Sequence, residues 1–112
     1  MHALDVLGDP TRRRILELLS SGEELSAGEI VEVVQREQGI SQPAVSQHLR
    51  ILREQGFTTV RAEGTRRLYL VEAAPLRAAD RWLERFRHFW DEKLDALGAE
   101  IERGKAARKR KR

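Results

Sequence analysis

The residues best equipped for bonding chemistry form one stretch, Ser41-Gln42-Pro43-Ala44-Val45-Ser46-Gln47-His48-Leu49-Arg50-Ile51-Leu52-Arg53. Gln42, Ser46 and Gln47 pair hydrogen-bond donors with acceptors at a reach suited to base edges. On a helix of 100° per residue, Pro43, Ser46, Gln47 and Arg50 point roughly one way, while Val45, Leu49 and Leu52 form a narrow apolar stripe elsewhere. A solvated helix face usually carries Lys and Glu. A row opening with Gln, Ser and Gln instead suits the edges of bases in a DNA major groove, where glutamine bonds adenine at two atoms. Taken alone, the stretch also reads as an ordinary exposed helix with capping residues.

The flanking sequence supplies the elements that would hold this row in place. Ser41 is a natural N-cap, Pro43 sits in a first turn where its missing N–H costs nothing, and Gly56 ends the helix. Upstream, Met1–Leu7 reads as a short helix carrying Leu4 and Leu7. Asp9-Pro10-Thr11 opens a second helix with Ile15, Leu16, Leu18 and Leu19 inward. Arg12, Arg13 and Arg14 crowd its first turn against the helix dipole, which suits either nearby phosphates or carboxylate pairing. Ser26 caps a third helix with Ile30, Val33 and Val34 inward, and Gln38-Gly39-Ile40 turns into the stretch at Ser41. Two helices joined by a tight glycine turn, the second polar outside, make a helix-turn-helix.

After Gly56 the period changes from helix to strand. Phe57-Thr58-Thr59-Val60-Arg61 and Arg66-Arg67-Leu68-Tyr69-Leu70-Val71 flank Glu63-Gly64-Thr65, a hairpin signal. Arg61, Arg66 and Arg67 lie near its tip, where a wing beside a recognition helix would meet backbone or minor groove. From Ala74-Pro75 a final helix is predicted, with Leu76, Ala79, Leu83, Phe86, Trp90, Leu94, Leu97 and Ile101 at spacings of three and four. Without an interrupting proline it would run about 28 residues, roughly 40 Å. That apolar face exceeds what one small body covers, so it predicts a dimer interface.

The chain has 112 residues, enough for one domain with a small core. Its formal charge is +3, yet six cations lie in the tail at Lys105, Arg108, Lys109, Arg110, Lys111 and Arg112. Without those six, 15 basic residues face 18 acidic ones, so the body is not generally basic. Nucleic-acid affinity must then come from cations placed locally, plus whatever the tail adds. The predicted division is a body of residues 1–103 and a disordered basic tail of residues 104–112. There is no cysteine, hence no disulfide or thiolate metal site. No apolar run has membrane-spanning length and no signal-peptide pattern is present, so the expectation is a cytoplasmic protein with no membrane partner.

In their order and spacing, three segments together resemble the ArsR/SmtB family of winged helix-turn-helix repressors. They are Leu7-Gly8-Asp9-Pro10-Thr11-Arg12-Arg13-Arg14-Ile15-Leu16-Glu17-Leu18-Leu19, the run from Ile40 to Leu52, and Glu63-Gly64-Thr65-Arg66-Arg67-Leu68-Tyr69. Trp82-Leu83-Glu84-Arg85-Phe86 and Phe89-Trp90 resemble the family's metal-independent autorepressor branch. The resemblance implies a mainly α fold with a small β-hairpin wing. It also implies a homodimer built through the N- and C-terminal helices, repressing from an imperfect palindrome of double-stranded DNA in its own or a neighbouring promoter. The family's base-contacting positions fall on Gln42, Ala44, Ser46, Gln47 and His48, with Ser41 and Arg50 beside them. Its wing cations fall on Arg66 and Arg67, with Arg61 beside them. The implied dimer residues are Leu4, Leu7, Leu76, Leu83, Phe86, Trp90, Leu94 and Leu97.

Two departures matter. The third helix and turn, Ile30 to Ser41, are about one helical turn longer than in the family. Ser26 and Gly28 stand where metal sensors carry a cysteine pair, and Asp80, His88, Asp91 and Glu92 lack the second histidine of the alternative site. His2, His48 and His88 are scattered, so neither a metal nor a cofactor is expected. No catalytic constellation is present, so an enzyme is not expected either. The alternatives left open are a winged helix that binds protein, or a sensor of this family with an unidentified small-molecule effector.

Overall fold

The computed structural model describes residues 1–110, with side-chain surroundings for residues 1–98. Two compact units make up the chain, Met1–Ala79 and Asp80–Arg112. The first begins with α1 (Ala3–Leu7), capped by His2, whose Nδ1 accepts from the Leu4 N–H at 3.1 Å. It continues with α2 (Pro10–Leu19), β1 (Leu25–Ser26), α3 (Ala27–Gln38), α4 (Gln42–Glu54), β2 (Thr58–Glu63) and β3 (Arg66–Val71). α5 spans Ala73–Glu84 and α6 spans Arg87–Arg110.

Local chemistry sets most of these ends. Asp9 Oδ1 accepts from the N–H groups of Thr11 and Arg12 at 2.8 and 3.2 Å, with Pro10 in the first turn of α2. Ser26 and Glu29 form a reciprocal capping box on α3. α3 stops at Gly39, whose φ of 66° places it in the left-handed region that suits glycine. Val6, Ile15, Leu19, Ile30, Val34, Val45, Leu52 and Phe57 are almost wholly buried, so α1 to α4 close one core beneath the sheet. Each such side chain contributes roughly 1.5–3 kcal/mol by leaving water. α4 is therefore held by its stripe of Val45, Leu49 and Leu52, which leaves its other side free.

The sheet is antiparallel in the order β1-β3-β2. β2 and β3 pair from Thr58↔Val71 to Glu63↔Arg66, and Gly64, at φ 61°, supplies the positive φ of the two-residue turn. Alternation along the strands puts Val60, Ala62, Tyr69 and Arg67 on one face and Arg61, Glu63, Leu68 and Arg66 on the other. β1 is only two residues long and was not expected from the sequence.

The predicted single terminal helix is instead two. Around Arg85 and Phe86 the hydrogen bonds tighten to the third residue back, Arg85 N–H to Trp82 O at 3.3 Å and Phe86 N–H to Leu83 O at 3.0 Å. Neither proline nor glycine marks the break, so the sequence carries no signal for it. α6 continues to Arg110, through a segment expected to be without structure; Ala106, Ala107 and their Lys and Arg neighbours are good helix formers. The side chains of Ile101 and of the tail cations lie outside the described residues, as do residues 111–112 altogether. No described helix is long and apolar enough to cross a membrane.

Candidate nucleic-acid interface

α4 presents the side chains that its buried stripe leaves over. Ser41 Oγ accepts from the Ala44 N–H at 3.3 Å and fixes the first turn. Ser41, Gln42, Ser46, Gln47 and Arg50 are exposed, and Ala44 is half-buried beneath them. Pro43, Ser46, Gln47, Arg50, Ile51 and Glu54 line one shallow depression along the helix. Arg50 Nε donates to Glu54 Oε1 at 2.9 Å, and that carboxylate holds the guanidinium proton more firmly than usual. Glu54 was not anticipated as part of this surface.

His48 is set apart from the row. It is half-buried against α2, with Nδ1 3.4 Å from Arg12 Nη1 and 3.9 Å from Asp9 Oδ1. Burial opposes ionisation of Asp9. The Arg12 N–H, the His48 ring and the Thr11 N–H outweigh it and keep the carboxyl below its ordinary value. His48 thus ties the recognition helix to the cap of α2.

The three arginines of α2 turn out to be structural. Arg12 donates to the carbonyls of Val6 and Asp5, at 2.8 and 3.1 Å, and Arg13 to that of Leu7 at 2.7 Å. They satisfy the open C-terminal end of α1. Arg14 forks onto Glu37, and Thr11 Oγ1 donates to Gln38 Oε1 at 2.6 Å. These bonds place the far end of α3, the part whose added length left its position open in the sequence.

The wing's two faces differ chemically. On one, Arg61 is ion-paired with Glu24 and Glu63, and Arg66 with Glu29 at 2.5 Å. Glu29 is depressed below its ordinary pKa first by its bonds to Ser26 and then by Arg66. On the other face, Arg67 is exposed and makes no ion pair with a described residue. Sequence reasoning missed Glu24 and Glu29 as partners because they lie 37 residues from the arginines they meet.

The residues assigned to a dimer interface are divided. Leu4 and Leu7 are half-buried, Leu7 against the core. Leu76, Leu83, Phe86, Leu94 and Leu97 are exposed, as is Phe89 at 62%, while Trp90 is half-buried. Trp82 and Phe86 pack with their rings tilted by 50° and their centres 4.9 Å apart, and Lys93 Nζ lies 5.7 Å from the Phe89 ring centre. Bare leucines and phenylalanines in such a run are of the kind found on surfaces that partners cover.

Residues 7–61 match the helix-turn-helix domain family. The chain is 33% identical over 93 residues to the transcriptional repressor SdpR of Bacillus subtilis, covering 83% of this chain and 98% of that protein. It also superposes on the crystal structure of an ArsR family transcriptional regulator, with TM-score 0.65 and 26% identity over 80% of this chain and 87% of the other. The chain belongs to the ArsR/SmtB family. A third match is the homodimeric winged helix-turn-helix DNA-binding domain from Mycobacterium bovis, with TM-score 0.57 and 25% identity over 77% of each chain. This ArsR-family chain is a DNA-binding transcriptional regulator and not an enzyme. Where the family's metal sensors would hold cysteines, Ser26 caps α3 and Gly28 lies in its first turn. Among the described residues no three His, Cys, Asp or Glu side chains gather into a metal-binding group.

Proposed function

We propose that this ArsR-family regulator is a homodimeric repressor that reads an imperfect palindrome in its own or a neighbouring promoter. The observation that carries the reading is the division of α4. Val45, Leu49 and Leu52 are locked in the core, and Gln42, Ser46 and Gln47 stand free on a rigid, capped helix. Such a row enters a major groove and reads donor and acceptor patterns, with Ser41, Ala44 and Arg50 bordering it. His48 acts one step back, by holding α4 against α2. Arg67 meets phosphate directly, whereas Arg61 and Arg66 do so by exchanging carboxylate partners for phosphate oxygens.

Dimerisation completes the reader. Leu76, Leu83, Phe86, Trp90, Leu94 and Leu97 would supply covered faces on α5 and α6, and Leu4 and Leu7 would supply one on α1; the homodimeric relative from Mycobacterium bovis supports such an assembly. Two copies of α4 would then address half-sites about one helical turn, ~34 Å, or a multiple of it apart. The cations of the segment after Lys105 add sequence-independent attraction to the backbone.

The test is a gel shift with a duplex from the upstream region of the chain's own gene and a scrambled duplex of equal length. The expected result is a shift of the first at lower protein concentration, with footprint protection in two halves. Equal affinity for both duplexes would refute sequence reading, and a protein-binding winged helix would take its place.

A further inference from the structure

Within Met1–Ala79, seven arginines donate to oxygens of their own chain, in helix-end carbonyls or in the carboxylates of Glu17, Glu37, Glu32, Glu54, Glu24, Glu63 and Glu29. Among the described residues of that unit only Arg53, Arg67 and Arg77 have no such partner. Arg77 lies on α5. Arg53, from the last turn of α4, and Arg67, from β3, line the same shallow depression between helix and wing.

That depression has an unusual lining. Two arginines, Thr58, Thr59 and small or apolar residues line it, with no carboxylate. Thr58 is buried, and its Oγ1 is the one buried side-chain polar atom without a hydrogen-bond partner among the described residues. Two like charges brought to one concavity repel each other unless an anion sits between them, and a concave wall of one sign focuses the field on that anion. The anion must present several acceptors to satisfy two forks, as a phosphodiester does.

Helix geometry says where that anion comes from. At 100° per residue Arg53 falls about 20° from both Gln42 and Ser46, so it extends their line toward the wing. On the wing, Arg67 shares its face with Ala62 and Val60, which line the depression too. A duplex read by Gln42 and Ser46 therefore carries its backbone past Arg53 and into reach of Arg67.

We infer that Arg53 and Arg67 grip a single backbone phosphate of the bound duplex, one from the recognition helix and one from the wing. The inference rests on the DNA-reading role of α4 and adds to it a clamp that fixes the wing's register on the strand.

The experiment combines affinity and ethylation interference on the upstream duplex, for wild type, Arg53→Gln, Arg67→Gln and the double variant. Each single change should weaken binding about tenfold, the size of one charged hydrogen-bonding contact. The double variant should lose far less than the hundredfold product, because both side chains serve one phosphate. Ethylation at one position should block wild type strongly and lose its effect in both single variants. Arg53→Lys and Arg67→Lys keep the charge without the fork and should recover part of the affinity, and unchanged circular dichroism should accompany all variants. Unaltered affinity in either single variant, interference lost at two different phosphates, or a full multiplicative loss would overturn the clamp. Failure of wild type to shift the duplex would instead strike the DNA-reading proposal itself, so the two failures are distinguishable.

Discussion

Arg14 and Glu37 face each other as two forks, with Nε and Nη2 each 2.8 Å from a different carboxylate oxygen. The pair joins the start of α2 to the last turn of α3, two residues before Gly39 turns the chain toward the recognition helix. Its bidentate geometry raises its worth above that of an ordinary surface pair, and its partial exposure limits it. Glu37→Gln should therefore destabilise the fold only slightly. Arg14→Gln should cost a similar amount, and the double variant little more than either. A denaturant double-mutant cycle checks this; strictly additive losses would show that the two side chains act independently.

Acid should erode the same contacts. Glu37, held down by Arg14, and Glu29, held down by Ser26 and then Arg66, both ionise below their ordinary 4.5, and Asp9 ionises below 3.8. A carboxyl whose folded pKa is depressed contributes stability above its unfolded pKa and loses it as pH falls through the folded value. Stability should thus be flat with respect to these groups above about pH 5 and decline progressively below pH 4.5. Thermal midpoints across pH 3–7 test the sign. Asp9→Asn, which keeps a cap without the charge, should flatten part of the decline, and Asp9→Ala should cost about 1 kcal/mol at neutral pH.

What could be read from the sequence was local. Asp9-Pro10, Ser26 with Glu29, Ser41 with Pro43, and Gly39 each announce a helix boundary within four residues, so α2, α3 and α4 were placed correctly. Val45, Leu49 and Leu52 were legible as the inward stripe because helical spacing alone defines it. Partners far apart in the chain were not legible. Arg12 reaches carbonyls of α1, and Arg61 and Arg66 reach carboxylates 37 residues away, contacts that exist only once the core has closed. The same limit hid Arg53 from the candidate site, since only the depression it lines together with Arg67 gives it meaning. The break at Arg85-Phe86 has no residue that encodes it.

The ion-paired face of the wing makes its own prediction. On the proposed reading, Glu24 and Glu29 would compete with phosphate for Arg61 and Arg66. Glu29→Gln should release Arg66, and Glu24→Gln should leave Arg61 with Glu63 alone, so each should raise affinity for scrambled DNA at low salt, Glu29→Gln the more, with a steeper salt dependence. Glutamine at position 29 still serves as the third-position partner of the Ser26 cap, so α3 should be retained. Weaker binding in either variant would mean that the carboxylates orient the arginines for DNA and do not compete with it.

The exposed apolar face should govern assembly. Phe86→Ala and Leu94→Ala each remove a large side chain from a surface that only a second copy would dry. Each should weaken dimerisation by about 2–4 kcal/mol, on the scale of core truncations. Sedimentation velocity at micromolar concentration should show a wild-type dimer and variants shifted toward monomer. A monomeric wild type that binds the upstream duplex with full affinity would sink the dimer.

Reading and holding should separate at Gln47 and Arg67. Gln47 is exposed beside Ser46 on a helix whose opposite side is immobile, so on the proposed reading its amide would meet base edges without the freedom to adapt to any sequence. Gln47→Ala should cost about 1–3 kcal/mol on the upstream duplex and little on a scrambled one, because a base-specific bond is worth nothing where the base is wrong. Arg67→Ala, on the proposed reading, would touch only backbone chemistry. It should weaken binding to both duplexes and lower the log–log salt slope by up to about one unit, since the phosphate it helps neutralise is present in every sequence. Titrating both variants on both duplexes at two salt concentrations distinguishes the roles. Equal losses on both duplexes for Gln47→Ala would move the reading function away from this face of α4, and a loss confined to the upstream duplex for Arg67→Ala would make the wing a reader.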